Sequence, residues 1–302
     1  TDIKSIKKAA RKGVKEELDK RIDDIIESQN IKIDHSCKII WKGNPIGRLK
    51  KGNDYLSPEI DIIADESIEE ETKNKLEKFL KGWFNKYINE ILGDLINLTN
   101  KKIENQYLRA LVFRLYENNG VIKRDEIENI VKLIPAVERK KLWGMGIKIG
   151  RYHVYLPKML KPKAVEFRIS LWKIFFNYTK ENEIPKSGLN FIINSNYEKN
   201  FLLLCGFEKF REFYVRIDIL EKLFIKIIEN TKNKKFKINT EMMNLLGCSK
   251  ENFYKLMSYM NYIKDKAEDT YIFRGEKKKK EKLIKFDKKE NPFNKLLSLN
   301  IK

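Results

Sequence analysis

Apolar side chains recur along much of this chain at intervals of three and four. The longest such run is Leu76, Phe79, Leu80, Trp83, Phe84, Tyr87, Ile88, Ile91, Leu92, Leu95 and Ile96. An unbroken stripe over about six turns predicts one long amphipathic helix, and a stripe that regular reads as core rather than as a cofactor contact. Ser67, with Glu70 three residues on, supplies a capping box at its start. A second helix repeats the spacing with Ile103, Tyr107, Leu108, Leu111, Val112 and Leu115, and Asn118-Asn119-Gly120 ends it. A third opens at Asp125 or Glu126 and runs through Ile127, Ile130, Val131 and Ile134 to Pro135, and another spans 163–178. At the start of the chain, Val14, Leu18, Ile22, Ile25 and Ile26 mark a narrow stripe on a highly charged connecting helix over 3–28.

Two stretches change to a period of two. Cys37, Ile39 and Trp41 alternate, and Gly43-Asn44 and Gly52-Asn53 supply turns, which predicts a three-stranded meander. Ile147 and Ile149 lead to Gly150-Arg151, and Tyr152, Val154 and Leu156 answer on one face. Gly150 suits the first position of a type II′ loop, so a hairpin is expected with those three side chains toward a helical core.

The C-terminal third has a recognisable order. Helices are expected over 197–205 and 217–228 with an extended piece at 213–215, then a polar linker over 230–235. Next come an extended piece at 236–238, a short helix over 240–246, a turn at Gly247, and a longer helix capped by Ser249 and reaching Tyr262. Extended pieces at 271–273 and 283–286 flank a Lys-rich loop. Helix, glycine turn, helix and basic hairpin is the layout of a winged helix-turn-helix. In it Phe253, Leu256, Met257 and Met260 face inward, while Lys250, Asn252, Lys255 and Tyr259 lie outside.

The fold class is therefore mainly α with small β elements (α+β). It comprises a multi-helical body, a small N-terminal β-meander and a C-terminal winged-helix-like segment. The expected divisions are a connecting amphipathic helix over 1–30, the meander over 31–66, the helical body over 67–188 with its hairpin near 146–156, a helix-strand-helix over 189–235, the winged-helix-like segment with its basic loop over 236–290, and a tail over 291–302.

Charge adds a partner. The 302 residues hold 63 Lys+Arg against 43 Asp+Glu, a formal net charge of +20, and polyanions are favoured because neutralising phosphates releases counterions. Lys outnumbers Arg 51 to 12 and Ile and Asn abound, a bias that AT-rich coding also produces. Between Glu276 and Glu290 stand eight bases against four acids. Lys250, Lys255, Lys277, Lys278, Lys279, Lys280 and Lys282 are accordingly the candidate nucleic-acid contacts. Contact is expected through phosphates, since no aromatic cluster on an extended surface points to base stacking.

Several chemistries find no support. The longest apolar stretch, Phe201 to Cys205, is far short of the ~20 residues that cross a bilayer, so no membrane partner and a cytoplasmic location are expected. Cys37, Cys205 and Cys248 are too far apart in sequence for a disulfide framework or a CxxC knuckle. There is no GxxxxGK[ST] loop, GxSxG or HExxH. His35 and His153 lack metal spacing, and His153 is expected at or near the surface, pointing away from Tyr152 and Val154. No catalytic residue, cofactor or metal is assigned, and no catalytic activity is expected of this chain alone. Thr1 at the start suggests a piece of something longer.

The string Ile149 to Pro162 (IGRYHVYLPKMLKP), followed by Ala164 and Leu171-Trp172, resembles the C-terminal accessory region of alphaproteobacterial DEAD/DEAH-superfamily helicases. These are the MgpS-like relatives of the mitochondrial Suv-type RNA helicase. Trp41 to Leu49 (WKGNPIGRL), Gly206-Phe207 with Val215 to Glu221 (VRIDILE), Met243 to Ser249 (MNLLGCS) with Phe253, and Asn291-Pro292-Phe293 are similar to it in the same order, covering roughly 35–302. Lys and Asn stand here where many relatives carry Arg and Ala. The resemblance implies an accessory, nucleic-acid-contacting part of an ATP-dependent RNA or DNA helicase. Its motor domains, in cis or in trans, would bind ATP and Mg, and its partner would be RNA or single-stranded nucleic acid. The alternative is a helical protein-docking scaffold, basic through coding bias.

Overall fold

A computed structural model describes residues 13, 16–17, 19–28, 30–63, 70–100, 102–180, 182–193, 197–265 and 270–274. The chain is α+β: helices carry most of the described residues, and four small antiparallel sheets are set among them. Residues 19–27 are helical (α1) and bury Ile22 and Ile25.

The meander has four strands rather than three, β1 (Ile31–Ile33), β2 (Lys38–Trp41), β3 (Asn44–Asp54) and β4 (Ser57–Ile62), in that order across the sheet. The extra strand pairs Ile31 with Trp41 and Ile33 with Ile39. Lys42 and Gly43, both at positive φ, form the first turn, as a two-residue hairpin loop requires. The second turn falls at Tyr55-Leu56 and not at Gly52-Asn53, which lie inside β3 beside a register shift. Gly52 is needed there for closeness, since a Cβ would overlap the Ser57 carbonyl.

Helix α2 (Glu70–Asn100) buries Leu76, Leu80, Phe84, Ile88, Leu92 and Leu95 of the stripe read from spacing, and Leu98 beyond it, while Phe79, Trp83, Tyr87, Ile91 and Ile96 are partly buried against the same core. Its expected cap, Ser67, lies outside the described residues. Helix α3 (Gln106–Glu117) starts where the Asn105 side chain accepts the Tyr107 and Leu108 N–H groups, each at 3.0 Å. The expected third helix is shortened: after strand β5 (Val121–Lys123) a 3-10 turn takes its first residues, α4 (Glu128–Leu133) forms the rest, and beyond Pro135 a separate α5 (Ala136–Gly144) follows. Strands β6 (Lys148–Ile149) and β7 (His153–Tyr155) form the expected hairpin, and β5 pairs on the other side of β7. After a 3-10 turn, α6 (Pro162–Phe175) returns across the body. Val154 and Leu156 enter the main core with α2 and α3.

Among the described residues, the hydrogen-bond acceptors of fully buried Arg168 of α6 are main-chain oxygens, the carbonyls of Asn119 (2.5 Å), Met159 (2.7 Å) and Leu204 (3.1 Å). These carbonyls sit just past or at helix and 3-10 ends, where carbonyls lack intrahelical partners and carry partial negative charge.

Strand β8 (Phe191–Ile193), helix α7 (Lys199–Leu204) and strands β9 (Phe207–Phe210) and β10 (Phe213–Arg216) lead into α8 (Ile217–Glu229). Then come β11 (Lys235–Phe236), α9 (Thr240–Leu246), α10 (Lys250–Tyr259), β12 (Tyr262–Asp265) and β13 (Thr270–Phe273), with sheet order β11-β13-β12. One apolar cluster runs from Phe213 and Val215 through α8, α9 and α10 to Tyr262 and Tyr271. Helix α8 therefore shares a core with the helix-turn-helix and its hairpin. Among the described residues, no helix is long and apolar enough to cross a membrane.

Candidate nucleic-acid interface

The helix-turn-helix is held by three local devices. The Asn239 side chain accepts the Met242 N–H at 2.9 Å, Gly247 takes φ 67° and donates to the Met243 carbonyl at 3.1 Å, and the Ser249 hydroxyl accepts the Asn252 N–H at 3.2 Å. Glycine fits the left-handed position because it has no Cβ to clash. Phe253, Leu256, Met257 and Met260 are buried, as expected.

The wing differs from expectation. Helix α10 stops at Tyr259, Asn261 turns the chain at φ 66°, and Tyr262 opens β12 instead of closing the helix. Asn tolerates the left-handed region better than most residues, which makes it a stop signal that an apolar count overlooks. The hairpin is β12–β13, with Ile263 opposite Ile272 and Lys264 opposite Tyr271. Lys277, Lys278, Lys279, Lys280 and Lys282, the piece at 283–286 and the tail lie outside the described residues.

The two remaining candidate lysines are separated. Lys250 places its ammonium 5.7 Å from the centroid of Tyr254, one turn on, and Lys264 of β12 approaches the same ring at 5.8 Å. Tyr254 is half-buried and stacks on Tyr271 of β13 with centroids 6.2 Å apart. A ring flanked by two cations thus spans the second helix and the wing. Such a surface can meet phosphates with its ammonium groups, which the ring between them holds in place. Lys255 lies on another side of α10, in an ion pair with Glu251 at 2.8 Å that raises its pKa. Near it, the Arg211 guanidinium stands 4.5 Å over Tyr259, whose hydroxyl donates to Glu212 at 2.8 Å. Sequence reasoning missed Tyr254, although its i+4 distance from Lys250 was a usable signal.

A buried polar seam fixes the winged unit to the body. Glu221 of α8 accepts the N–H groups of Arg151 (2.6 Å), Tyr152 (2.9 Å) and His153 (2.9 Å), three successive donors that run from the β6–β7 loop into the start of β7. The loop residues are Arg151-Tyr152, and Gly150 is not at positive φ, so the type II′ expectation fails. Gly150 is glycine for space, because a Cβ would overlap the Glu221 carboxylate. Tyr152 points not to the helical body but between Phe210 and Phe224, edge-on at 6.3 and 6.0 Å.

His153 is a further correction, being 1% exposed instead of lying at or near the surface. Its Nε2 lies 2.9 Å from the Glu208 carboxylate, and its Nδ1 is 3.7 Å from Glu221. Lys123 completes the set through an ion pair with Glu208. Burial opposes the charged imidazole, but the two carboxylates outweigh it and hold the His153 pKa above its ordinary value. Burial also pushes the Glu208 carboxyl up, and His153 with Lys123 outweighs that and holds it below the usual range. The partners lie 55 to 85 residues apart in sequence, beyond any spacing pattern.

No nucleophile is exposed by this arrangement. Burial raises the Cys37 thiol pKa and pushes Cys205 up to about 12 and Cys248 to about 11, so none is a thiolate near neutrality. Among the described residues, no group of three or more His, Cys, Asp or Glu side chains is placed to hold a metal ion. Comparison with protein-family models, curated proteins and solved structures finds no match to this chain.

Proposed function

We propose that this chain is an accessory region that contacts single-stranded or unwinding nucleic acid, RNA or DNA, beside an ATP-driven helicase motor carried in cis or in trans. One observation carries the first half: Lys250 of α10 and Lys264 of β12 flank the ring of Tyr254. The helicase half rests on the resemblance of residues 149–162 and the matching strings, which contain no phosphate loop. ATP and Mg would be held by the motor, and this region would guide or clamp the strand. The seam at Glu221 supports a guiding role, because it ties the winged unit to the body by buried hydrogen bonds.

A labelled oligonucleotide titrated with the chain tests this by anisotropy at several salt concentrations. Affinity should fall steeply with salt, and Lys250→Glu with Lys264→Glu should weaken binding and flatten that slope, by roughly one unit for each phosphate that is no longer neutralised. The second reading, a protein-docking scaffold, is favoured by the exposure of Val137 and Trp143 on α5. Absence of binding by the wild type at low salt would favour the scaffold.

A further inference from the structure

A cleft of about 610 Å³ opens where the β3–β4 turn meets the C-terminal ends of α3, α6 and α7. We propose that it receives an unstacked base of the bound strand, an inference that rests on the nucleic-acid reading above.

Its walls suit a flat ring. Tyr116, Trp172, Phe175 and Phe176 line it, with Phe176 59% exposed and its centroid 5.5 Å from that of Trp172. Its volume falls within the ~300–1,000 Å³ of small-molecule sites, which combine aromatic walls with a few placed polar groups. Two such groups lack partners: the Tyr55 hydroxyl, on a side chain 7% exposed, and the Asn119 side-chain oxygen. Both atoms are closed to solvent, so pairing with a base edge requires their side chains to turn toward the cleft.

Charge selects the base over its phosphate. Asp54, Glu117 and Glu126 line the cleft, while Lys123, which also lines it, is already paired with Glu208. Phosphate inside would be repelled, whereas a neutral base would not. At the aromatic wall the Lys51 ammonium lies 5.2 Å from the Phe175 centroid, a cation available to a backbone running past. Toward the wing, a smaller cavity lined by Lys123, Arg124 and Arg151 together with Asp125, Glu128 and Glu208 adjoins the cleft through Lys123, and the Arg151 guanidinium lies 6.0 Å from the ring of Phe273 in β13.

The test uses the whole chain with two single-stranded oligomers of equal length, one normal and carrying a photoreactive pyrimidine, one with abasic sites. Irradiation should cross-link peptides containing Trp172 and Phe176. Phe176→Ala, at an exposed position, should weaken the normal oligomer about tenfold, the scale of one stacked base, and leave the abasic one unchanged. Wild-type binding with no cross-link in those peptides and no effect of Phe176→Ala would overturn the cleft assignment while the winged-unit reading stands. Equal weakening of both oligomers would also overturn it, since the loss would not depend on a base. No binding of either oligomer at low salt would remove both.

Discussion

The stripe of α2 and the seam around Glu221 are buried to similar depth and held in different ways. Leu80, Leu92 and Leu95 are fully buried, and Glu221 is 6% exposed, yet one set is stabilised by removing apolar surface from water and the other by three N–H donors and nearby charges. Apolar burial is non-directional and tolerates a change of shape at constant volume, whereas polar burial demands a partner for every group. The body can therefore drift in sequence where the seam cannot.

The largest test is truncation at each place. Glu221→Ala should cost about 3–5 kcal/mol, because it orphans one buried and two part-buried N–H groups and leaves His153 with one carboxylate. Leu92→Ala should cost about 2–5 kcal/mol through the forfeited transfer energy and a cavity. Conservative replacements sharpen the contrast: Leu92→Met should lose less than about 1.5 kcal/mol, and Glu221→Gln should lose more, since its amide nitrogen meets donors. Urea unfolding of the four variants measures all of this, and equal tolerance of Met and Gln would erase the distinction.

That contrast also explains what can be read from the sequence. The α2 stripe, the hairpin at 148–155 and the helix–glycine–helix at 240–259 are legible because each rests on local periodicity or a cap. The burial of His153 is not, because its surroundings come from β9 and α8, and strand alternation says only which face a residue takes. The helix expected from Ile127 to Ile134 is present as α4, shortened at its start by a 3-10 turn, whereas β5 depends on pairing with the distant β7, which local spacing does not contain. At the wing, the aromatic platform joins Tyr254 to Tyr271 across strands, a proximity that spacing along one helix does not contain.

A smaller effect separates the two regions by pH. The His153 pKa is raised on folding, so its contribution is fully present below the unfolded value near 6.5 and is lost as pH rises through the folded value. The Glu208 pKa is depressed, so its contribution is present above the unfolded value near 4.5 and is lost as pH falls through the folded value. The seam should hold best between these limits. Denaturant midpoints measured on both sides should show the decline at each end in wild type, a weaker alkaline decline in His153→Asn, and no change of pH profile in Leu92→Met.

The smallest expected effect lies on the surface of α10. Lys255→Ala removes an exposed pair with Glu251 and should leave stability nearly unchanged, since solvent screens such a pair. Its effect on oligonucleotide affinity should be smaller than that of Lys250→Ala, because Lys250 flanks the Tyr254 ring and Lys255 does not. An affinity loss for Lys255→Ala matching that of Lys250→Ala would move the binding surface around the helix.

Arg168 carries a consequence for how this chain can evolve. Its three acceptors are main-chain oxygens, so no exchange of side chains at positions 119, 159 or 204 deletes them directly, whatever the coding bias makes of those codons. Insertions and deletions are another matter, since one residue gained in any of the three connections would carry an oxygen out of reach. The guanidinium itself is equally constrained: a chain with 51 Lys and 12 Arg keeps arginine here, where two separate nitrogens, Nη1 and Nη2, divide the three carbonyls between them in a planar fork that a single ammonium nitrogen does not have. Around this point a substitution that preserves packing keeps all three acceptors, and a change of loop length does not.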